Sequence, residues 1–166
     1  MAPGGPLAGN ALPARRTPLR ARRPAGRSRR PPGEFTPRVK LLVRARAGRG
    51  DPCEAVCESC GVFLGIGGGE FQRRAARGAG GSRDSVINGA ANCVLLCPSC
   101  HRRAETRDRE MGTGAQGFWI GHGSTPEFDP RLVPVLLYAN GSSGIPVWLP
   151  EDGGEYLYER PEGIAA

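Results

Sequence analysis

The chain has 166 residues, of which 26 are glycine and 16 proline, and only 6% are aromatic, so it can form one compact domain with tails around a small hydrophobic core. It shows no apolar run near Met1 suited to a signal peptide and no segment long enough to span a bilayer, which sets aside secreted and membrane-embedded classes and points to a reducing cytoplasm. The net charge of +7 is uneven: residues 1–50 carry thirteen Lys/Arg against Glu34 alone, residues 51–111 balance eight against eight, and residues 112–166 hold seven acids against two arginines.

A basic N-terminal third implies a polyanionic partner, and nucleic acid is the natural one. Part of the arginine excess is compositional. Lys40 is the only lysine, and joint abundance of Ala, Gly, Pro and Arg is what a GC-rich coding sequence gives without functional pressure.

In chain order, residues 1–35 read as a disordered Arg/Pro/Gly-rich tail, because its first 33 residues have hardly any large side chain to bury. The tail is either a DNA-binding arm or the product of a start codon placed upstream of a protein that begins near Val39. Thr36-Pro37 is an N-cap with proline at the first helical position. Val39, Leu42 and Val43 then share one face of a helix expected to end near Gly48. Asp51 to Gly61 forms a first knuckle. Residues 62–66 read as a strand, Gly67 to Gly69 as a turn, and Glu70 to Gln72 as the returning arm of a hairpin. Residues 73–91 form a long loop. Its Arg73, Arg74, Arg77 and Arg83 make either a phosphate-binding stripe or a merely solvated face. Val94 to Leu96 is a short buried run, and a helix is predicted over 98–111 with His101 in its first turn. Residues 118–120, 133–138 and 146–149 look like strands, Trp119 and Trp148 like core anchors, and residues 159–166 fray. The organisation is a tail over 1–35, a zinc-bound domain over 36–115, a β extension over 116–158 packed on it, and a frayed end. The class is α+β.

Six cysteines carry the clearest chemistry. Cys57-Glu-Ser-Cys60 and Cys97-Pro-Ser-Cys100 each present two thiolates on one tight turn, and two such turns complete a tetrahedral Zn²⁺ shell. Disulfides suit small secreted domains, and a redox Cys-x-x-Cys normally stands alone at a helix start, so structural zinc is the better reading. Cys53 is an alternative to Cys57 in the first knuckle. Cys93 sits in an apolar run and reads as a small buried residue.

Cys57-x-x-Cys60, then Gln72-Arg73-Arg74-Ala75-Ala76-Arg77-Gly78-Ala79-Gly80-Gly81, then Asn92-Cys93-Val94-Leu95-Leu96-Cys97-x-x-Cys100-His101 form a specific combination. With Gly117-Phe118-Trp119-Ile120, Leu132 to Leu137 and Val147-Trp148-Leu149, it resembles the small HNH endonucleases of actinobacterial phages and prophages over residues 36–158. The resemblance implies a ββα-metal fold with a four-cysteine zinc staple and a DNA phosphodiesterase using one divalent ion, Mg²⁺ or Mn²⁺. It implies a base histidine at the end of the second strand, a loop asparagine that shapes the site, and a helix histidine on the ion. Asn92 and His101 match the second and third motif letters. Glu105, one helical turn on, shares a face with His101, and Gln72 stands where a relative often has a ligand. The first letter falls on Arg73, whose guanidinium cannot accept a proton but grips phosphate well. His122, in a Gly-rich turn, is a poor replacement. The activity implied is therefore that of a weakened or inactive nuclease. The alternatives are a non-catalytic DNA-binding module on the same fold and a protein-binding zinc ribbon. Relatives of this kind are associated with genome processing and packaging, which implies a phage terminase as partner inside the bacterial host cell.

Overall fold

The computed structural model describes residues 34–78, 82, 84–123, 128–137 and 144–162. The expectations for the tail over 1–33, for Arg83, for Tyr138 and for the last four residues lie outside them. Helix α1 spans Pro37–Ala47. It starts as expected: Thr36 Oγ1 accepts from the Val39 N–H at 3.2 Å, with Pro37 at the first turn. It stops at Gly48, where a Cβ would stand 1.8 Å from the Asp51 carbonyl oxygen.

Strand β1, Glu70–Arg73, does not fold back on residues 62–66 as the hairpin reading requires. It pairs antiparallel with β2, Cys93–Leu96, placing Glu70 opposite Leu96 and Arg73 opposite Cys93. Residues 62–66 make only an isolated bridge, Val56 to Phe63. Their backbone is engaged elsewhere. Leu64 N–H donates to Ala55 O at 3.0 Å, and the Arg44 guanidinium donates to the Gly65 carbonyl at 2.9 Å and to that of Gly68. Val62, Phe63 and Ile66 are exposed and have no face to bury.

The β1–β2 pair lies between two helices, and strand alternation assigns each face. Cys93 and Leu95 join Phe35, Val43 and Ala47 on the α1 side. Val94 and Leu96 join Cys57, Cys100 and Ala104 on the other side, which is covered by helix α3, Pro98–Glu105. Helix α3 is shorter than predicted. Thr106 Oγ1 donates back to the Arg102 and Arg103 carbonyls, Arg107 takes a left-handed φ of 56°, and a 3₁₀ turn covers Arg109–Met111. The long loop also has structure: helix α2, Ser85–Asn88, capped by Asp84, and a 3₁₀ turn over Ala90–Asn92.

Strand β3, Val135–Leu137, pairs antiparallel with β4, Ile145–Val147. Residues 118–120 make single bridges only, because the Phe118 and Trp119 N–H groups both donate to Met111 O. Phe118, Val135, Val147 and Leu149 enter the same core as Val94 and Leu96. Both indoles act as anchors: Trp119 Nε1 donates to Asp108 O at 2.7 Å and Trp148 Nε1 to Leu132 O at 3.1 Å. Among the described residues, the chain is a small α+β unit with two antiparallel sheets. No helix among them is long and apolar enough to cross a membrane.

Charged side chains are buried in this small core. Arg46 and Glu58 form an ion pair with a closest approach of 2.9 Å and no solvent exposure on either side chain. Glu58 also accepts from the Leu95 N–H at 2.6 Å and from the Tyr156 hydroxyl at 2.8 Å, while Arg46 donates to the Ala90 and Cys93 carbonyls. The first knuckle is thereby tied to α1, β2 and the C-terminal segment through one carboxylate. Removing one partner of such a pair costs about 3–5 kcal/mol, because the other charge stays buried and unpaired. We expect Glu58→Gln to lose stability of that order in urea unfolding. The double variant Arg46→Met/Glu58→Leu should recover part of it. An unchanged urea midpoint for Glu58→Gln would contradict this role.

Candidate metal centre and adjoining cleft

The two knuckles meet. The sulfurs of Cys57, Cys60, Cys97 and Cys100 all lie within 4.8 Å of one another, and Cys60 Sγ stands 3.8 Å from Cys97 Sγ. Local structure places each pair. In the first knuckle, Cys57 N–H donates to Val62 O and Gly61 N–H to Cys57 O, both at 2.8 Å, with Gly61 at a left-handed φ of 74°. In the second, Cys97 is the N-cap of α3, and its sulfur accepts from the Cys100 N–H at 3.5 Å.

This donor set fits a metal ion. Four sulfurs at about 2.3 Å from one zinc stand about 3.8 Å apart, the separation Cys60 and Cys97 already show. A disulfide needs about 2.05 Å, far shorter than the Cys60–Cys97 separation. Burial pushes the Cys57 thiol up strongly and that of Cys100 to about 11, whereas Cys97 is held below its ordinary value, against burial, by hydrogen bonds from Cys100, Cys60 and Cys57. Thiols crowded this way favour the protonated form unless a cation compensates their charge. Cys53 is exposed and outside the cluster, so it does not replace Cys57. Cys93 is buried in the α1-side core, as expected.

Beside this cluster, a cleft of about 410 Å³ opens along the edge of β1, lined in part by Lys40, Glu70, Gln72, Arg73, His101 and Glu105. His101 Nδ1 contacts the Glu70 carboxylate and lies 3.8 Å from Glu105 Oε2. A larger groove of about 500 Å³ between α1 and β4 has Tyr156 and Tyr158 in its wall but a single carboxylate, Glu155, and no histidine. The cleft at β1 gathers one histidine and three carboxylates, Glu34, Glu70 and Glu105.

The structure separates the residues grouped in the sequence. Arg73 lines the cleft; its guanidinium stacks over the Phe35 ring at 4.0 Å and donates to Ile87 O. Burial and then nearby Arg77 pull its pKa down, yet arginine starts so high that it stays charged and is no base. Asn92 is fully buried and does not face the cleft. Its Oδ1 accepts from the Ala75 N–H at 2.6 Å, and its Nδ2 donates to the Ala75 and Ile87 carbonyls at 2.9 Å. It positions the loop after β1.

Arg74 is no surface contact either. It is 2% exposed and donates to five carbonyls: Gly117, Ala91, Pro130, Val133 and Pro134. Burial, reinforced by Arg46, lowers its pKa to about 9, which leaves it charged at neutral pH. Arg77, half-buried, clamps Asn88 Oδ1 at 2.9 Å. The stripe of four arginines is thus not a uniform surface feature. His122 is exposed and lines none of the described cleft. The sequence reading missed Glu70. Strand period was the available signal: Glu70 and Gln72 share a face, opposite Leu96 and Val94, on the α3 side.

No family model, no curated protein and no solved structure matches this chain.

The cysteine cluster predicts about one zinc per chain in purified protein. Structural zinc carries folding free energy of about 10–16 kcal/mol, so a strong chelator should unfold the domain, read as loss of the far-ultraviolet signal. Cys60→Ala should lose the zinc and Cys53→Ser should keep it. Retention of zinc by Cys60→Ala would show that the metal sits elsewhere.

Proposed function

We propose that this protein is an HNH-type, zinc-stapled domain that acts on DNA phosphodiester bonds with a divalent ion and cuts slowly because Arg73 stands in the base position. The observation that carries the reading is one cleft. Two antiparallel strands followed by a helix bring Gln72, Arg73, His101 and Glu105 together beside the cysteine cluster. Asn92 holds the intervening loop by bonding the backbone of Ala75, consistent with a site-shaping role.

His101 and Glu105 suit a divalent ion, one imidazole nitrogen and one carboxylate on neighbouring turns of α3. When bound, that ion would neutralise charge developing on the leaving oxygen. The chain's own part is to hold the phosphate and to order the loop. Arg73 offers a planar cation to a phosphate oxygen and keeps its proton throughout. A positioned general base contributes about 10²–10⁴-fold, and its absence sets the scale of the expected slowdown. Arg73 also favours a second reading, a DNA-binding module on the same scaffold that no longer cuts. A terminase partner is proposed from the resemblance alone.

Incubation with supercoiled plasmid and Mn²⁺ or Mg²⁺ tests the choice. The nuclease reading predicts slow nicking, lost in His101→Ala and raised about tenfold or more in Arg73→His. Silence in both the native chain and Arg73→His, with salt-sensitive DNA binding intact, would establish the binding module instead.

A further inference from the structure

We infer that the loop over residues 62–68 is a DNA-contacting element: Phe63 and Ile66 form an apolar wedge that enters a duplex beside the cleft, and Arg38 and Arg44 of α1 supply the flanking positive charge. The inference rests on the reading of this protein as one that acts on DNA, and it names the residues that distort the duplex.

The exposure of these side chains is fixed by the fold. Ile66 is 85% exposed, more than any other large hydrophobic side chain among the described residues, and Phe63 is 60% exposed. Yet the backbone that carries them is tied along its length. Cys57 N–H donates to Val62 O at 2.8 Å, Leu64 N–H to Ala55 O at 3.0 Å, and the Arg44 guanidinium to the Gly65 and Gly68 carbonyls. Leu64, between the two exposed side chains, packs against the core instead. Gly67 and Gly69 take left-handed φ values of 80° and 82°, which lets the tip turn tightly. Large apolar groups held outward in this way mark a contact surface.

Charge selects the partner. Leu41, also exposed, stands between Arg38 and Arg44 at helical spacing. The bonds from Arg44 to Gly65 and Gly68 set this ridge against the loop. Residues 36–50 include no acid, and residues 59–69 include no Lys, Arg, Asp or Glu. Glu70, next in the chain, lies on the α3 side of β1 and contacts His101. Lys40 is paired with Glu34 and lines the cleft, so the ridge runs on into the cleft wall. Apolar side chains among cations suit a polyanion that also has apolar faces, which base steps between phosphates provide. A second copy of this chain fits less well. In a symmetric pair the arginine ridges would meet, and three side chains fall well short of the about 800 Å² per partner that a stable protein interface buries.

The test uses a short duplex labelled at both ends. Anisotropy reads affinity across salt concentrations, energy transfer between the ends reads bending, and melting and sedimentation are checked for each variant. Both wedge side chains are exposed, so Phe63→Ala/Ile66→Ala should melt like the native chain. We expect it to weaken binding about tenfold with the salt slope unchanged, and to abolish the bend of about 20–90° that an inserted wedge produces. Arg38→Ala should instead lower the salt slope by about one and leave the bend in place. The inference is overturned if the native chain leaves the duplex straight, or if the double variant binds and bends it like the native chain. It is also overturned if the double variant only converts a native dimer into a monomer, which would make a second copy the occupant. The plasmid assay keeps the two ideas distinct. Bending lost in the double variant, without any nicking by the native chain, supports the wedge and fails the nuclease reading. Nicking by the native chain, with unaltered binding and bending in the double variant, does the reverse.

Discussion

The convergence of Cys57 and Cys60 with Cys97 and Cys100 decides where the rest of this small domain can stand. The first pair lies on a turn after α1 and the second at the start of α3, so closing four sulfurs around one point brings distant stretches of chain together. Helix α3 is then held against the β1–β2 pair, and His101, the residue after Cys100, is delivered to the edge of β1. A core with few aromatics supplies little apolar burial, a shortfall that a metal held by the cluster would offset.

Buried cations do the remaining organising. Arg46 links α1, the first knuckle and β2 by sharing Glu58 with Leu95 and Tyr156. Arg74 gathers segments around residues 91, 117, 130 and 133 through their carbonyls, without a carboxylate among those partners. Burying guanidinium groups is costly, and their many donors satisfy carbonyls that loops would otherwise leave unpaired. Arginine in this chain is therefore both surface charge and internal scaffold, and its count overstates the charge available to a nucleic acid.

Much of the local structure was legible because single residues set it. Thr36-Pro37 starts α1 and Gly48 ends it. Spacing alone pointed to the cysteine cluster, but it did not exclude Cys53, which the fold leaves at the surface. Strand pairing was not legible: residues 62–66 have strand-like composition, yet the Gly65 carbonyl is claimed by Arg44 and that of Val62 by the Cys57 N–H, and β1 finds its partner some twenty residues later in the chain. Arg74 read as a surface cation because nothing local announces a ring of carbonyl acceptors supplied from as far as residue 134. Glu70 escaped notice because the hairpin assumed for it pointed to the wrong neighbour.

The proposed nuclease reading depends on the sulfur cluster being a metal centre and not four thiols that happen to lie close. X-ray absorption at the zinc edge of the purified protein measures this directly. A zinc staple predicts a single shell of four sulfurs at about 2.3 Å with no light-atom ligand. A shell containing nitrogen or oxygen, or a disulfide between any two of these four cysteines, would contradict it.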